Sequence, residues 1–193
     1  MVNLVKHDRQ EAVRKAAYLF WEKGFQATSM RNLQDQIEMH PGSIYAAFGS
    51  KEGLFREALQ WYVSTSIERL SACAASQVSP LSALKQFVKE IVLGFKHDAP
   101  SEMCMLVKTI SELTEDHAAL LTEAKRLFSV MEDGFADLLS QAQAQGELDP
   151  EKDVRRLARL LQMQLIGLRV YTRANTNDER IVEMIDDAFA SFR

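Results

Sequence analysis

Apolar residues recur at helical spacing along nearly the whole chain, and this periodicity limits the folds it can adopt. The first clear stripe falls at i, i+3, i+4, i+7 and i+8, which is one face of a helix. Its members are Val13, Ala16, Ala17, Phe20 and Trp21. Residues 90–93 resemble a strand, but the run is too short and lies within a helical pattern. Because only 8 Gly and 4 Pro interrupt 193 residues, we predict an all-α fold.

The breaks divide the chain into about nine helical segments. Gly24 suits the left-handed position that ends the first helix. Thr28 or Ser29 can cap a short second helix, the third covers only residues 42–48, and the fourth begins at Lys51. Later segments are predicted near 81–97, 101–114, 117–145, 151–174 and 178–192.

Composition and charge narrow the functional classes. The net charge is −4, with a mild excess of basic residues confined to positions 1–60. No apolar run is long enough to span a membrane, the charged N-terminal residues argue against export, and two cysteines cannot form a disulfide framework. These features predict a cytoplasmic protein.

Three patterns that would indicate catalysis are missing from the sequence. It has no nucleophile–base spacing, no glycine-rich phosphate loop after a strand, and no third ligand beside the pairs at 97–98 and 116–117. We therefore predict no metal, no cofactor and no enzymatic activity. An all-helical enzyme and a helical interaction module without DNA binding are the alternatives.

Two short helices joined by a tight turn are typical of a helix-turn-helix. Here they cover about residues 29–48. On the second of them Ile44 and Phe48 form an apolar edge that can pack inward. The opposite edge carries small or hydrogen-bonding residues, as a helix that enters the major groove requires. That edge comprises Ser43, Tyr45, Ala46 and Ala47.

Residues 42–55, GSIYAAFGSKEGLF, resemble the signature of the TetR/AcrR family of transcriptional regulators. That signature is a Gly-small-Leu-Tyr-x-x-Phe helix followed by Ser-Lys-Glu-x-Leu. Upstream, Gly24-Phe25-x-x-Thr28-Ser29-x-x-x-Leu33 resembles the family's entry to helix 2. The resemblance implies a DNA-binding domain at 6–66 and an effector-binding and dimerisation domain at 67–193. It also implies a homodimeric repressor that binds a near-palindromic operator and is released by an effector.

The same resemblance assigns roles in DNA binding. Tyr45 and Lys51 correspond to phosphate contacts, and Gly42 to a position of close approach. The full set of implied DNA-binding residues is Thr28, Ser29, Arg31, His40, Gly42, Ser43, Tyr45, Ala46, Ala47 and Lys51. Two positions depart from the family pattern: Glu38 replaces a turn glycine, and Pro41 replaces a basic residue.

The rest of the chain is expected to form a dimer and to enclose an apolar effector. The implied dimer interface lies on the last two helices, with Leu157, Leu160, Leu161, Leu165, Leu168, Ile181, Ile185 and Phe189. The candidate effector pocket is Phe87, Phe95, Cys104, Phe128, Met131 and Met163. Cys104 also resembles a cysteine through which some relatives sense electrophiles or oxidants, so a thiol sensor is an alternative to a ligand-released repressor. A buried, inert Cys104 is the simpler interpretation.

Overall fold

The computed structural model describes residues 2–94, 99–101, 103–175 and 177–192, with side chains described from residue 9 onward. Within these ranges the fold is all-α with no strand, which confirms the predicted class. The nine α-helices are α1 (Val2–Lys23), α2 (Met30–Ile37), α3 (Pro41–Phe48), α4 (Lys51–Ser76), α5 (Pro80–Lys89), α6 (Met105–Glu112), α7 (Ala118–Ala144), α8 (Val154–Ala174) and α9 (Asp178–Ala190). A π-helical segment, Glu90–Gly94, continues α5, and a 3-10 turn, Glu115–His117, precedes α7.

The chain forms two compact units. The first consists of Met1–Ser64 together with Cys104–Phe128, and the second of Thr65–Met103 together with Ser129–Arg193. The first unit therefore contains α6 and the start of α7 as well as α1 to α3 and the first half of α4. None of the described helices is sufficiently long and apolar to cross a membrane.

Three phenylalanines form the centre of the first unit. The ring of Phe55 lies 4.8 Å from that of Phe20 and 4.9 Å from that of Phe25, measured between centroids, and all three side chains are buried. Leu33 of α2 and Ile44 of α3 are also fully buried. Aromatic pairs at these distances add stabilisation beyond area burial, and the cluster fixes α1 and α4 as the support for the two short helices.

The second unit has its own core beneath α9. Ile181 and Ile185 on that helix are fully buried, and the Phe87 and Phe135 rings lie 5.9 Å apart. Gly134 allows α7 to approach α4, because a Cβ at that position would lie 3.1 Å from the Ile67 side chain.

Most of the residues predicted for the dimer interface lie in this core. Leu157, Leu161 and Leu168 on α8 are buried within the chain, as are Ile181, Ile185 and Phe189 on α9, and Leu165 is half-buried. An amphipathic helix turns its most apolar face to the core of its own chain, and these side chains pack there. The exposed apolar residues of α8 are Leu160, which the sequence also indicated for the interface, together with Met163 and Val170.

Candidate nucleic-acid interface

The turn from α1 into α2 is built by local hydrogen bonds. Gly24 ends α1 with a φ of +85°, as predicted. Ser29 is the N-cap of α2: its hydroxyl accepts from the Asn32 amide at 3.1 Å, while the Asn32 side chain accepts from the Ser29 amide at 3.0 Å. This reciprocal pair satisfies two amides at the start of the helix.

Thr28, one of the residues predicted to bind DNA, is turned into the protein. Its side chain is fully buried, and its hydroxyl donates to the Gly24 carbonyl at 2.6 Å. A hydroxyl already used inside the protein cannot reach a phosphate, so Thr28 stabilises the turn. The neighbouring Ser29 and Arg31 are exposed at the first turn of α2.

The turn between α2 and α3 contains a backbone conformation that favours glycine. Glu38 has a φ of +57°, so a non-glycine residue stands at a left-handed position where the family pattern has glycine. Lys15 of α1 reaches the Glu38 carboxylate at 2.6 Å, and this hydrogen bond lowers the pKa of Glu38. His40, exposed, is the N-cap residue of α3, and Pro41 follows in its first turn.

The two edges of α3 separate as the sequence predicted. Ile44 and Phe48 are buried. Tyr45, a large aromatic residue on the opposite edge, is 49% exposed. The remaining positions on that edge, Gly42, Ser43 and Ala46, are exposed, and Ala47 is half-buried. A helix with a small, polar outer edge can lie close to base edges in the major groove.

Gly53 brings the start of α4 against the end of α3. A Cβ at Gly53 would lie 2.0 Å from the Phe48 carbonyl oxygen, so only glycine fits there. The Gly53 amide donates to the Ser50 hydroxyl at 3.1 Å, which makes Ser50 a cap for α4. The first turn of α4 is thereby held beside the recognition helix α3, and helix N-termini bind phosphate well.

Lys51 lies at this helix start. Its ammonium group stands 4.3 Å from the centre of the Phe25 ring, a cation–π contact. Partial burial lowers the pKa of Lys51. The ring holds the charge near the N-terminus of α4, where the predicted phosphate contact would be made.

Arg9 was not identified from the sequence, although it contacts the end of α3. Its guanidinium donates to Glu57 of α4 at 2.6 Å and to the Ala47 carbonyl at 3.3 Å, and it lies 4.8 Å from the centre of the Phe48 ring. These partners are 38 to 48 residues away, so no local pattern could have predicted them.

The predicted effector residues are distributed over both units. Phe87 and Met131 are buried in the second unit, whereas Cys104 and Phe128 are half-buried in the first. Phe95 lies outside the described residues. Met163 is 66% exposed on α8, which removes it from an internal pocket.

Two family models match the sequence over both parts of the chain. One describes bacterial regulatory proteins of the tetR family and matches residues 13–58; the other describes a tetracyclin repressor-like C-terminal domain and matches residues 80–187. The chain belongs to the TetR family. It is accordingly a DNA-binding transcriptional regulator with an N-terminal helix-turn-helix.

Several TetR proteins are similar to this chain over most of their length. The HTH-type transcriptional repressor ComR of Escherichia coli K12 is 30% identical over 182 residues, which are 92% of this chain and 85% of that protein. The uncharacterized regulator YezE of Bacillus subtilis is 24% identical over 93% of both chains. A cysteine mutant of the regulator CifR, solved with 26-base-pair operator DNA, superposes with a TM-score of 0.83 at 27% identity, covering 94% of this chain and 95% of that one.

Proposed function

We propose that this TetR regulator represses transcription by binding a near-palindromic operator as a homodimer, and that a small apolar effector releases it. It acts in the cytoplasm and catalyses no reaction. The observation that carries the proposal is the division of α3 into a buried edge and an exposed edge that carries Tyr45. In a two-fold dimer, two such helices read successive major grooves of one operator.

The test is footprinting on the DNA upstream of the protein's own gene, followed by affinity measurements on the protected site. Tyr45→Ala should weaken operator binding by about tenfold, as the loss of a phosphate contact does. Tyr45→Phe, which removes only the hydroxyl, separates hydrogen bonding from ring contact. If no upstream DNA is protected at low salt, the proposed function is wrong.

A revised dimer surface supports the homodimer. Leu160, Met163 and Val170 share one face of α8 and are 39%, 66% and 49% exposed. Beside them, a groove of about 470 Å³ runs between α8 and α9, lined by residues that include Gln164, Gly167 and Met184. The side-chain oxygen of Gln164 is buried with no hydrogen-bond partner in the described structure. A second copy seated on this face would cover the apolar side chains and offer that oxygen a donor.

Regulation through Cys104 is the second candidate. Cys104 is the N-cap residue of α6, and the Tyr62 hydroxyl lies 3.5 Å from its sulfur. An adduct on that sulfur would displace Tyr62 and the start of α6. Treatment with an oxidant should then release the wild-type protein from its operator and leave the Cys104→Ser protein bound. Equal retention of both proteins would exclude the thiol mechanism.

A further inference from the structure

Helix α6 carries two opposite charges one turn apart; one contacts the end of α1 and the other the turn that follows it. The Lys108 ammonium donates to the carbonyls of Trp21 and Glu22 at 3.2 and 2.7 Å. The Glu112 carboxylate accepts from the amides of Phe25 and Gln26 at 3.1 and 2.5 Å. We call Lys108 and Glu112, with these four backbone groups, the α6 clamp.

Each charge of the clamp suits the backbone groups that it contacts. Carbonyls at a helix C-terminus carry partial negative charge, so an ammonium group is favoured there. The amides of the turn that follows are donors, and a carboxylate is their strongest acceptor. Gly24 lies between them: a Cβ at that position would come 2.4 Å from the Glu112 carboxylate oxygen. The glycine thus provides both the positive φ and the space for Glu112.

The clamped turn also touches the helices that face DNA. Phe25 lies under the Lys51 ammonium at the start of α4 and edge-on to the His117 ring at 4.9 Å. Three residues later, Thr28 is bonded back to Gly24, and Ser29 caps α2. The position of residues 25–26 therefore sets where α2 begins and where Lys51 is held.

We propose that Lys108 and Glu112 are positioning residues for operator binding: by fixing the α1–α2 turn, they preorganise α2, α3 and Lys51. The inference rests on the proposed function and adds to it residues outside the helix-turn-helix. If the turn is released, only a fraction of molecules holds the binding geometry, and the apparent dissociation constant rises in inverse proportion to that fraction.

The experiment compares Lys108→Met and Glu112→Gln on the operator duplex and on a scrambled duplex of equal length. The two substitutions change the net charge in opposite directions. A purely electrostatic effect would therefore weaken binding in one variant and strengthen it in the other. Positioning predicts that both weaken operator binding by about tenfold, the effect of losing a charge-assisted hydrogen bond, and leave scrambled DNA unchanged. Lys108→Arg, which keeps the donors, should restore operator affinity.

The matched controls are Lys125→Met and Glu115→Gln, which make the same two charge changes. Both residues are exposed and lie in the same unit. Operator affinities for the clamp variants equal to those of the controls would overturn the proposal. So would opposite effects of the two clamp variants. A failure of the proposed function looks different, because wild-type protein would then not distinguish operator from scrambled DNA.

Hydrogen exchange tests the clamp without relying on a variant that must fold. In the wild-type protein the amides of Phe25 and Gln26 should gain protection when operator duplex is added, because operator selects the clamped turn. Scrambled duplex should add less. Unchanged exchange at these two amides in the presence of operator would contradict the proposal.

Discussion

Glu38 occupies a left-handed backbone conformation that favours glycine. A left-handed conformation is strained for glutamate by about 1 kcal/mol relative to glycine. The ion pair with Lys15 at 2.6 Å offsets little of this strain, because solvent screens a pair this exposed. The turn therefore keeps its shape because the helices on either side impose it.

Replacing Glu38 with glycine should relieve this strain. Glu38→Gln is the matched reference, because both variants lack the ion pair with Lys15 and differ only in the side chain at a positive φ. We expect Glu38→Gly to have the higher free energy of unfolding by about 1 kcal/mol, measured by urea denaturation. Equal stability of the two variants would show that the turn is unstrained.

A second prediction at this scale concerns the titration of Glu123. The side-chain hydrogen bond from Arg126, followed by that from Gln60, outweighs desolvation and lowers the pKa of Glu123 from 4.5 to about 2. A carboxyl whose pKa is lower in the folded state contributes stability above the unfolded value of about 4.5 and loses it as the pH falls toward 2.

The stability difference between wild type and Glu123→Gln should accordingly be constant at neutral pH and shrink below pH 4.5. Denaturation curves at several pH values measure it. Arg126→Gln removes the main cause of the lowered Glu123 pKa. The stability difference between wild type and this variant should therefore shrink over the same acid range. A difference that persists unchanged at the acid end would mean that the Glu123 carboxylate gains nothing from folding.

At the scale of elements, the recognition helix α3 is short and depends on its neighbours for its orientation. Its buried edge, Ile44 and Phe48, packs inward. Its C-terminal end is held by Arg9, which connects the Ala47 carbonyl to Glu57 of α4. Eight residues form only about two turns, a length that is marginal in isolation, so these tertiary contacts decide its position.

Removing the Arg9 contacts should therefore reduce operator affinity. We expect Arg9→Met to raise the operator dissociation constant about tenfold by loosening the end of α3. Arg14→Met is the control, since Arg14 is an exposed arginine of the same helix that bonds to Glu11 three residues away. Both variants lose one positive charge. Equal weakening in fluorescence anisotropy would mean that Arg9 acts only through charge.

At the scale of the whole molecule, the two copies of the proposed dimer meet through the exposed face of α8. Its apolar residues are those that the core does not use, namely Leu160, Met163 and Val170. Burying a carboxylate among them would be costly. The proposed dimer therefore makes a direct prediction about oligomeric state.

Met163→Glu should convert the dimer into a monomer in sedimentation velocity experiments and reduce operator affinity, because a monomer contacts one half-site. Val78→Glu makes the same chemical change at a fully exposed residue outside α8 and should remain dimeric. A dimeric Met163→Glu protein with wild-type sedimentation would place the dimer surface elsewhere.

Local sequence determined the helices of this protein and the faces of α3. Caps such as Ser29, the break at Gly24 and the apolar period that buries Ile44 act over a few residues, so they can be read directly from the chain. Tertiary structure decided what periodicity cannot. It buried Thr28, turned Leu161 and Ile185 into the core, and brought Arg9, Lys108 and Glu112 to backbone groups 38 to 87 residues away. The physical reason is that an apolar stripe specifies burial but not the surface that covers it, and a charged side chain finds its partner only after the helices have packed.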